Sequence, residues 1–213
     1  MGTFQKGILG GFSGKVGTVV GANWRGKDIL RSLPKRSNRI PTASQIEQRL
    51  KFALIAHFLR PITIIVSAFF GQRSEYKSRR NLAVSYHMTE AVTGTSPDFL
   101  VDYQKVIITK GDLLGLQDAV VTPQAGALLD FAWTDNSGQG LALADDQLII
   151  AVYNESRDLF EYRLGVATRD ALTYTMSLPT TWIGETVQCW SSFSNSAGKK
   201  AANSIFMGAI VLL

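Results

Sequence analysis

The stretch Gly10-Gly11-Phe12-Ser13-Gly14-Lys15-Val16 is the nearest approach to a phosphate-binding loop in this 213-residue chain. Such a loop needs four residues between its first glycine and the Gly-Lys pair, then a Ser or Thr hydroxyl for magnesium. Leu9 stands at the first glycine position and Val16 at the hydroxyl position, so both requirements fail. The glycines read instead as places of close backbone approach and positive φ. Asp145-Asp146 and Asp135-Asn136-Ser137-Gly138 have the residue types for a cation site but lack the spaced oxygen ligands of a calcium loop; both read as turn chemistry. The two histidines, His57 and His87, fall in separate helical-looking stretches, too few and too scattered for zinc or for a nucleophilic triad. Cys189, the single cysteine, alternates with its neighbours in Thr186-Val187-Gln188-Cys189-Trp190, the pattern of a small strand residue, and it excludes an internal disulfide. The Asn154-Glu155-Ser156 sequon matters only in a glycosylating secretory pathway. These residue types point away from an enzyme, and they call for no cofactor and no metal.

What the chain does carry is separated charge. Residues 1–80 hold 15 Lys and Arg against 3 acids, whereas residues 81–213 hold 7 bases against 14 acids. A basic arm can neutralise phosphates, with affinity that falls steeply as salt rises. Opposite charges on two ends of one subunit favour head-to-tail contact between copies. A nucleic-acid binder gains nothing from the acidic half; self-association uses both. Charged residues make up 18% of the chain, below the usual fraction of about 25%, in keeping with a surface partly covered by copies or partners.

The elements that must position these charges separate into three stretches by pattern. Residues 1–40 form a basic, Gly-rich arm and linker. In it Val16-Gly17-Thr18-Val19-Val20 and Asp28-Ile29-Leu30-Arg31 are β-prone runs, read as a hairpin with its turn near Arg25-Gly26-Lys27. A lone hairpin is marginal in water and must dock on something. Residues 41–92 are helical. Thr42 with Gln45 has the spacing of a capping box, Arg60-Pro61 breaks the first helix, and Ile62 to Phe70 is a short apolar second one. A third helix is expected over roughly Glu75 to Glu90, burying Leu82, Val84, Tyr86 and Met88.

Residues 93–213 read as strand after strand, beginning with Phe99–Tyr103 and Val106–Thr109 and ending with Ser204–Leu213. Turn signals such as Gly111-Asp112, Asn136-Ser137-Gly138 and Asn195–Gly198 separate them. About seven short strands at this spacing, without paired cysteines, predict an antiparallel fibronectin/immunoglobulin-like β-sandwich, with the fibronectin-like variant preferred. The fold class is thus α+β. The closing run Ile210-Val211-Leu212-Leu213 is expected either to pair within its own sheet or to be open to another copy.

The opening residues Gly7 to Gly21 resemble a bacterial domain family of unknown function, numbered sixty-two sixty-six and best known from Bacteroidota. The likeness continues at Trp24-Arg25-Gly26-Lys27, Arg31-Ser32-Leu33-Pro34, Ala91–Thr95, Trp133–Gly138 and Ala202-Asn203-Ser204. It implies a bacterial host, or a phage or prophage of one, and no catalytic residue. Glycines break the apolar residues of the first fourteen positions, unlike a signal peptide, and Ile62–Phe70 is too short to span a bilayer. The expectation is synthesis in the cytoplasm and, for any surface or virion destination, a route without a conventional leader.

The sequence therefore predicts a non-enzymatic structural protein that self-assembles, as a filament, tube, virion or surface-layer subunit. Its assembly residues are expected to be Phe12, Lys15, Val16, Trp24, Arg25, Lys27, Arg31, Lys35, Arg36 and Arg39. The alternatives are nucleic-acid binding, with Trp24 as a stacking platform among Arg25, Lys27, Lys35, Arg36 and Arg39, and a fibronectin-like binding module that uses its loops.

Overall fold

The computed structural model describes residues 3–4, 11–24, 27–35, 40–73 and 77–213. The chain divides into two units, Met1–Ala43 and Ser44–Leu213, which are built on different principles.

The first unit is an antiparallel meander of β1 (Thr3–Phe4), β2 (Phe12–Val16), β3 (Val19–Trp24) and β4 (Lys27–Ser32), hydrogen-bonded in chain order. The run Val16–Val20, expected as one strand, instead reverses at Gly17-Thr18. Val16 pairs with Val19 across a two-residue loop, where Gly17 takes φ +58°, the left-handed conformation that such a hairpin requires. The second reversal is where the sequence placed it: Trp24 pairs with Lys27, and Arg25-Gly26 between them lies outside the described residues. Phe12 crosses directly over Gly21, where a Cβ would sit 2.2 Å from the Phe12 carbonyl oxygen. Among residues 11–24 and 27–35, Gly21 alone is buried.

The second unit has three layers. Its helices are α1 (Ala43–Phe58), α2 (Thr63–Phe69), bent 96° from α1 at the Pro61 break, and α3 (Arg79–Glu90). Thr42 immediately precedes α1, where a cap belongs. The expected start of α3 at Glu75 lies outside the described residues; the helix begins after Ser78, whose hydroxyl accepts from the Asn81 amide at 3.2 Å. The buried pair on α3 is Ala83 and His87, while Leu82, Val84, Tyr86 and Met88 are half-buried at the sides of that stripe. Periodicity found the right face but centred it one residue off. No single helix among the described residues is long and apolar enough to cross a membrane.

A short hairpin, β5 (Val92–Thr95) and β6 (Asp98–Val101), follows. Val106–Thr109, expected as a strand, joins no sheet. Its Ile108 amide donates to Ser204 Oγ at 2.8 Å, and Thr109 Oγ1 lies 2.7 Å from Ser192 Oγ and 2.8 Å from the Ala202 carbonyl. Side-chain hydroxyls satisfy the groups that a ladder would otherwise use.

The sandwich proper pairs β7 (Gln117–Gln124), β8 (Leu128–Thr134) and β11 (Thr173–Ser177) in one sheet, ordered β11-β8-β7. The other sheet contains β9 (Gln147–Asn154), β10 (Leu159–Thr168), β12 (Thr186–Ser194) and β13 (Ile205–Val211), ordered β10-β9-β12-β13. Three strands against four with this crossover pattern make a fibronectin-like sandwich. The closing run pairs within its own sheet, as β13 against β12.

Alternation along β9 explains the layering. Leu148, Ile150 and Val152 face the sandwich interior with Leu129, Phe131, Met176, Cys189 and Phe193. Ile149, Ala151 and Tyr153 face the other way and, with Trp190, pack against Ile55, Phe58, Ile62, Ile65 and Val66 of the helices. The central strands β9 and β12 are therefore buried on both faces, and helices and sandwich share this core. Phe58 stands edge-on to Tyr153 and Phe160, with ring centres 5.2 and 5.1 Å away.

Candidate interaction surface

Cross-strand partners project to the same face of a sheet, so the register of the N-terminal meander sorts its side chains. Lys15 pairs with Val20 and Val20 with Arg31; Ala22 pairs with Ile29, and Trp24 with Lys27. Lys15, Trp24, Lys27 and Arg31, four of the expected assembly residues, thus share one face with Val20, Ala22 and Ile29. Phe12 and Val16 fall on the opposite face, Val16 in the row of Val19–Ser32 and Phe12 against Gly21. Lys35 is exposed beyond β4. Arg25, Arg36 and Arg39 lie outside the described residues.

These faces are open. Val16 is 50% exposed, Trp24 49% and Leu30 68%, and every residue of β4 is exposed. Lys27 stands opposite Trp24, and Lys15 and Arg31 stand on either side of Val20, with the Ala22–Ile29 pair between the two cationic rows. Across Met1–Ala43 the chain has eight Lys and Arg and one acid, Asp28. Asp28 is itself engaged, accepting from Asn23 Nδ2 at 2.8 Å.

A family model described as a family of unknown function (DUF6266) matches residues 11–208. The chain belongs to this family. The match runs through both units of this DUF6266 member, the meander as well as the sandwich. No curated protein matches it. Among solved structures, the fibronectin type III domain of human collagen alpha-1(XX) chain is 11% identical, with a TM-score of 0.35, covering 46% of this chain and 84% of that one. The corresponding domain of human contactin 1 is 9% identical, with a TM-score of 0.34, covering 49% and 83%.

In the second unit the groups that looked capable of chemistry have structural work. Asp146, read as turn chemistry, is fully buried and forms an ion pair with the equally buried Arg169: Oδ2 accepts from Nη2 at 2.9 Å and from Nε at 3.1 Å. The guanidinium also donates to the Leu114 and Gly115 carbonyls and to Asn136 Oδ1, and it lies 4.1 Å over the Phe193 ring. Asp135 does make a turn, accepting from the Ser137 amide at 2.9 Å, and those Ser137 hydrogen bonds hold its pKa below the ordinary value. Cys189 is enclosed in the core, and burial pushes its thiol up to about 12. His87 Nδ1 lies 2.8 Å from the Ala83 carbonyl, and desolvation lowers the imidazole pKa. No group of three or more His, Cys, Asp or Glu is placed to hold a metal among the described residues.

Sequence reading missed one feature of this unit. A cleft of about 580 Å³ gathers Arg79, Lys110, Lys199 and Lys200 around Asp112. Its cations come from three distant segments joined by backbone contacts. Gly71 donates to the Lys110 carbonyl at 2.6 Å, and a Cβ on Gly111 would lie 2.2 Å from the Ala201 carbonyl oxygen. No local pattern announces it.

Proposed function

We propose that this protein is a non-enzymatic structural module that assembles with copies of itself, its cationic N-terminal sheet docking on the second unit of a neighbour. One observation carries the reading: among residues 11–24 and 27–35 only Gly21 is buried, while Val16, Trp24, Ile29 and Leu30 stand exposed. A sheet without a hydrophobic layer gains too little from burial to offset its ordering and needs a partner surface. The opposite charge balance of residues 81–213 supplies a suitable one within the same chain. Light scattering and negative-stain electron microscopy test this. Oligomers or polymers that disappear when residues 1–33 are removed are expected; a monodisperse monomer indifferent to that deletion overturns the reading.

A second reading has its own support in the alignment of Trp24 with Lys15, Lys27 and Arg31 on one face. An aromatic ring among cations is the stacking platform of single-stranded nucleic-acid binders. A salt-sensitive shift of a labelled oligonucleotide would favour it, and no shift at low salt would remove it.

A further inference from the structure

We propose that the acceptor for the N-terminal sheet is the outer face of β7-β8-β11 on a second copy of the chain. This rests on the assembly reading above and names its missing half. The central strands β9 and β12 of the four-stranded sheet have their outer face covered by the helices. Among the described residues of this unit, no helix covers the three-stranded sheet in the same way. Leu129, Phe131 and Trp133 of β8 point inward, so Asp130, Ala132 and Thr134 point out, level with Thr122 of β7 and Thr173 and Thr175 of β11. Val120 on this face is 55% exposed.

The chemistry of the face is one-sided. β7, β8 and β11 contain no Lys or Arg; their charges are Asp118 and Asp130. Threonine hydroxyls hold both carboxylates, Thr175 Oγ1 on Asp130 at 2.6 Å and Thr134 Oγ1 on Asp118 at 3.4 Å. The result is an outward face of threonines, Ala132, Val120 and Leu128 bearing fixed negative charge. The donor face matches it with Lys15, Lys27 and Arg31 around Val20, Ala22, Ile29 and Trp24. Each face spans three strands, and sheets stack face to face about 10 Å apart with their strands roughly aligned.

Two other acceptors are less suited. The cleft at Lys110 and Lys199 is itself cationic and repels the arm. The edge strand β7 carries a register shift between Gln117 and Val120 and a proline at 123, which hinder strand addition and leave the face as the route.

Two full-length charge-reversal variants test the assignment by sedimentation velocity: K15E/K27E/R31E on the donor and D118K/D130K on the acceptor. Each alone is expected to weaken self-association by at least about tenfold, because like charges then face each other. Mixing the two is expected to restore it, since each variant now complements the other and repels itself. Unchanged thermal midpoints confirm that both variants fold. If donor reversal abolishes association while D118K/D130K associates like the unaltered protein, or if mixing restores nothing, the acceptor assignment fails and assembly through the arm stands. If the unaltered protein is monomeric, or retains an oligonucleotide through the donor face without self-associating, both readings fail.

Discussion

The chain contains two four-stranded antiparallel sheets with opposite relations to solvent. In the sandwich, β9 and β12 are buried on both faces, by the second sheet on one side and by the helices on the other. In the N-terminal meander, β4 is exposed at all six positions, and the apolar side chains around it stay open. Pairing alone does not explain the difference: the meander's β2–β3–β4 ladders run without a break, whereas the sandwich sheet shifts register near Leu164 and at Cys189/Trp190 and is nonetheless the buried one. What differs is composition. β9 reads Leu-Ile-Ile-Ala-Val-Tyr without a charge, whereas each strand from β2 to β4 that carries apolar residues is interrupted by lysine, arginine or glycine. One sheet organises a core and the other presents a surface.

That contrast predicts a gradient of mutational effects. The largest belongs to Trp190, wholly buried between β9, β13 and the helices, with its ring centre 5.5 Å from that of Phe206. Trp190→Ala removes the biggest side chain of the outer core and is expected to cost about 3–5 kcal/mol of unfolding free energy, read by denaturant titration.

Next comes the Asp146–Arg169 pair. Asp146→Ala leaves a buried guanidinium held by carbonyls and Asn136, and about 3 kcal/mol of destabilisation is expected. Replacing both residues with apolar ones should cost less than that single change. A double variant as unstable as Asp146→Ala would show that the network contributes more than removal of a stranded charge.

How far such sites are legible in sequence depends on how local their causes are. The strands of the sandwich announce themselves by alternation and by turn residues such as Asn136-Ser137-Gly138, and the helices by Pro61 and by caps; those signals need only neighbours. Asp146 and Arg169 lie 23 positions apart, and nothing near either one reveals the other. Val106–Thr109 looks like a strand because its residues are β-branched, yet Ser204 and Thr109 hydroxyls displace the ladder. The residues proposed for assembly on the arm were readable as types. Their division into two faces was not, because the register is fixed by the turn at Gly17-Thr18, inside a run that reads as one strand. The cationic cleft needed three segments to meet and left no local trace.

A smaller effect concerns pH. Burial lowers the pKa of His87 from 6.5, so the unfolded chain takes up a proton first as pH falls. The neutral imidazole's contribution is complete above 6.5 and is lost progressively as pH drops toward the lowered folded value. Within that acid window the unfolding free energy should decline with a limiting slope of about 1.4 kcal/mol per pH unit from this one residue. His87→Gln should flatten the part of the slope that this residue sets. An unchanged slope in that variant would assign the acid sensitivity to the carboxylates.

The smallest expected change in stability is the one that tests the comparison most directly. Trp24 is as large as Trp190, but it is 49% exposed on a sheet in which, among residues 11–24 and 27–35, only Gly21 is buried. Trp24→Ala should leave the unfolding transition of the second unit within about 0.5 kcal/mol of its original value, as surface substitutions do. Self-association should fall all the same, because aromatic anchors carry a disproportionate share of contact energy. Measuring both properties on one sample separates the roles. A loss of stability as large as that of Trp190→Ala would mean that the ring belongs to a core. Unaltered stability with unaltered association would remove Trp24 from the contact and leave the cations to carry it.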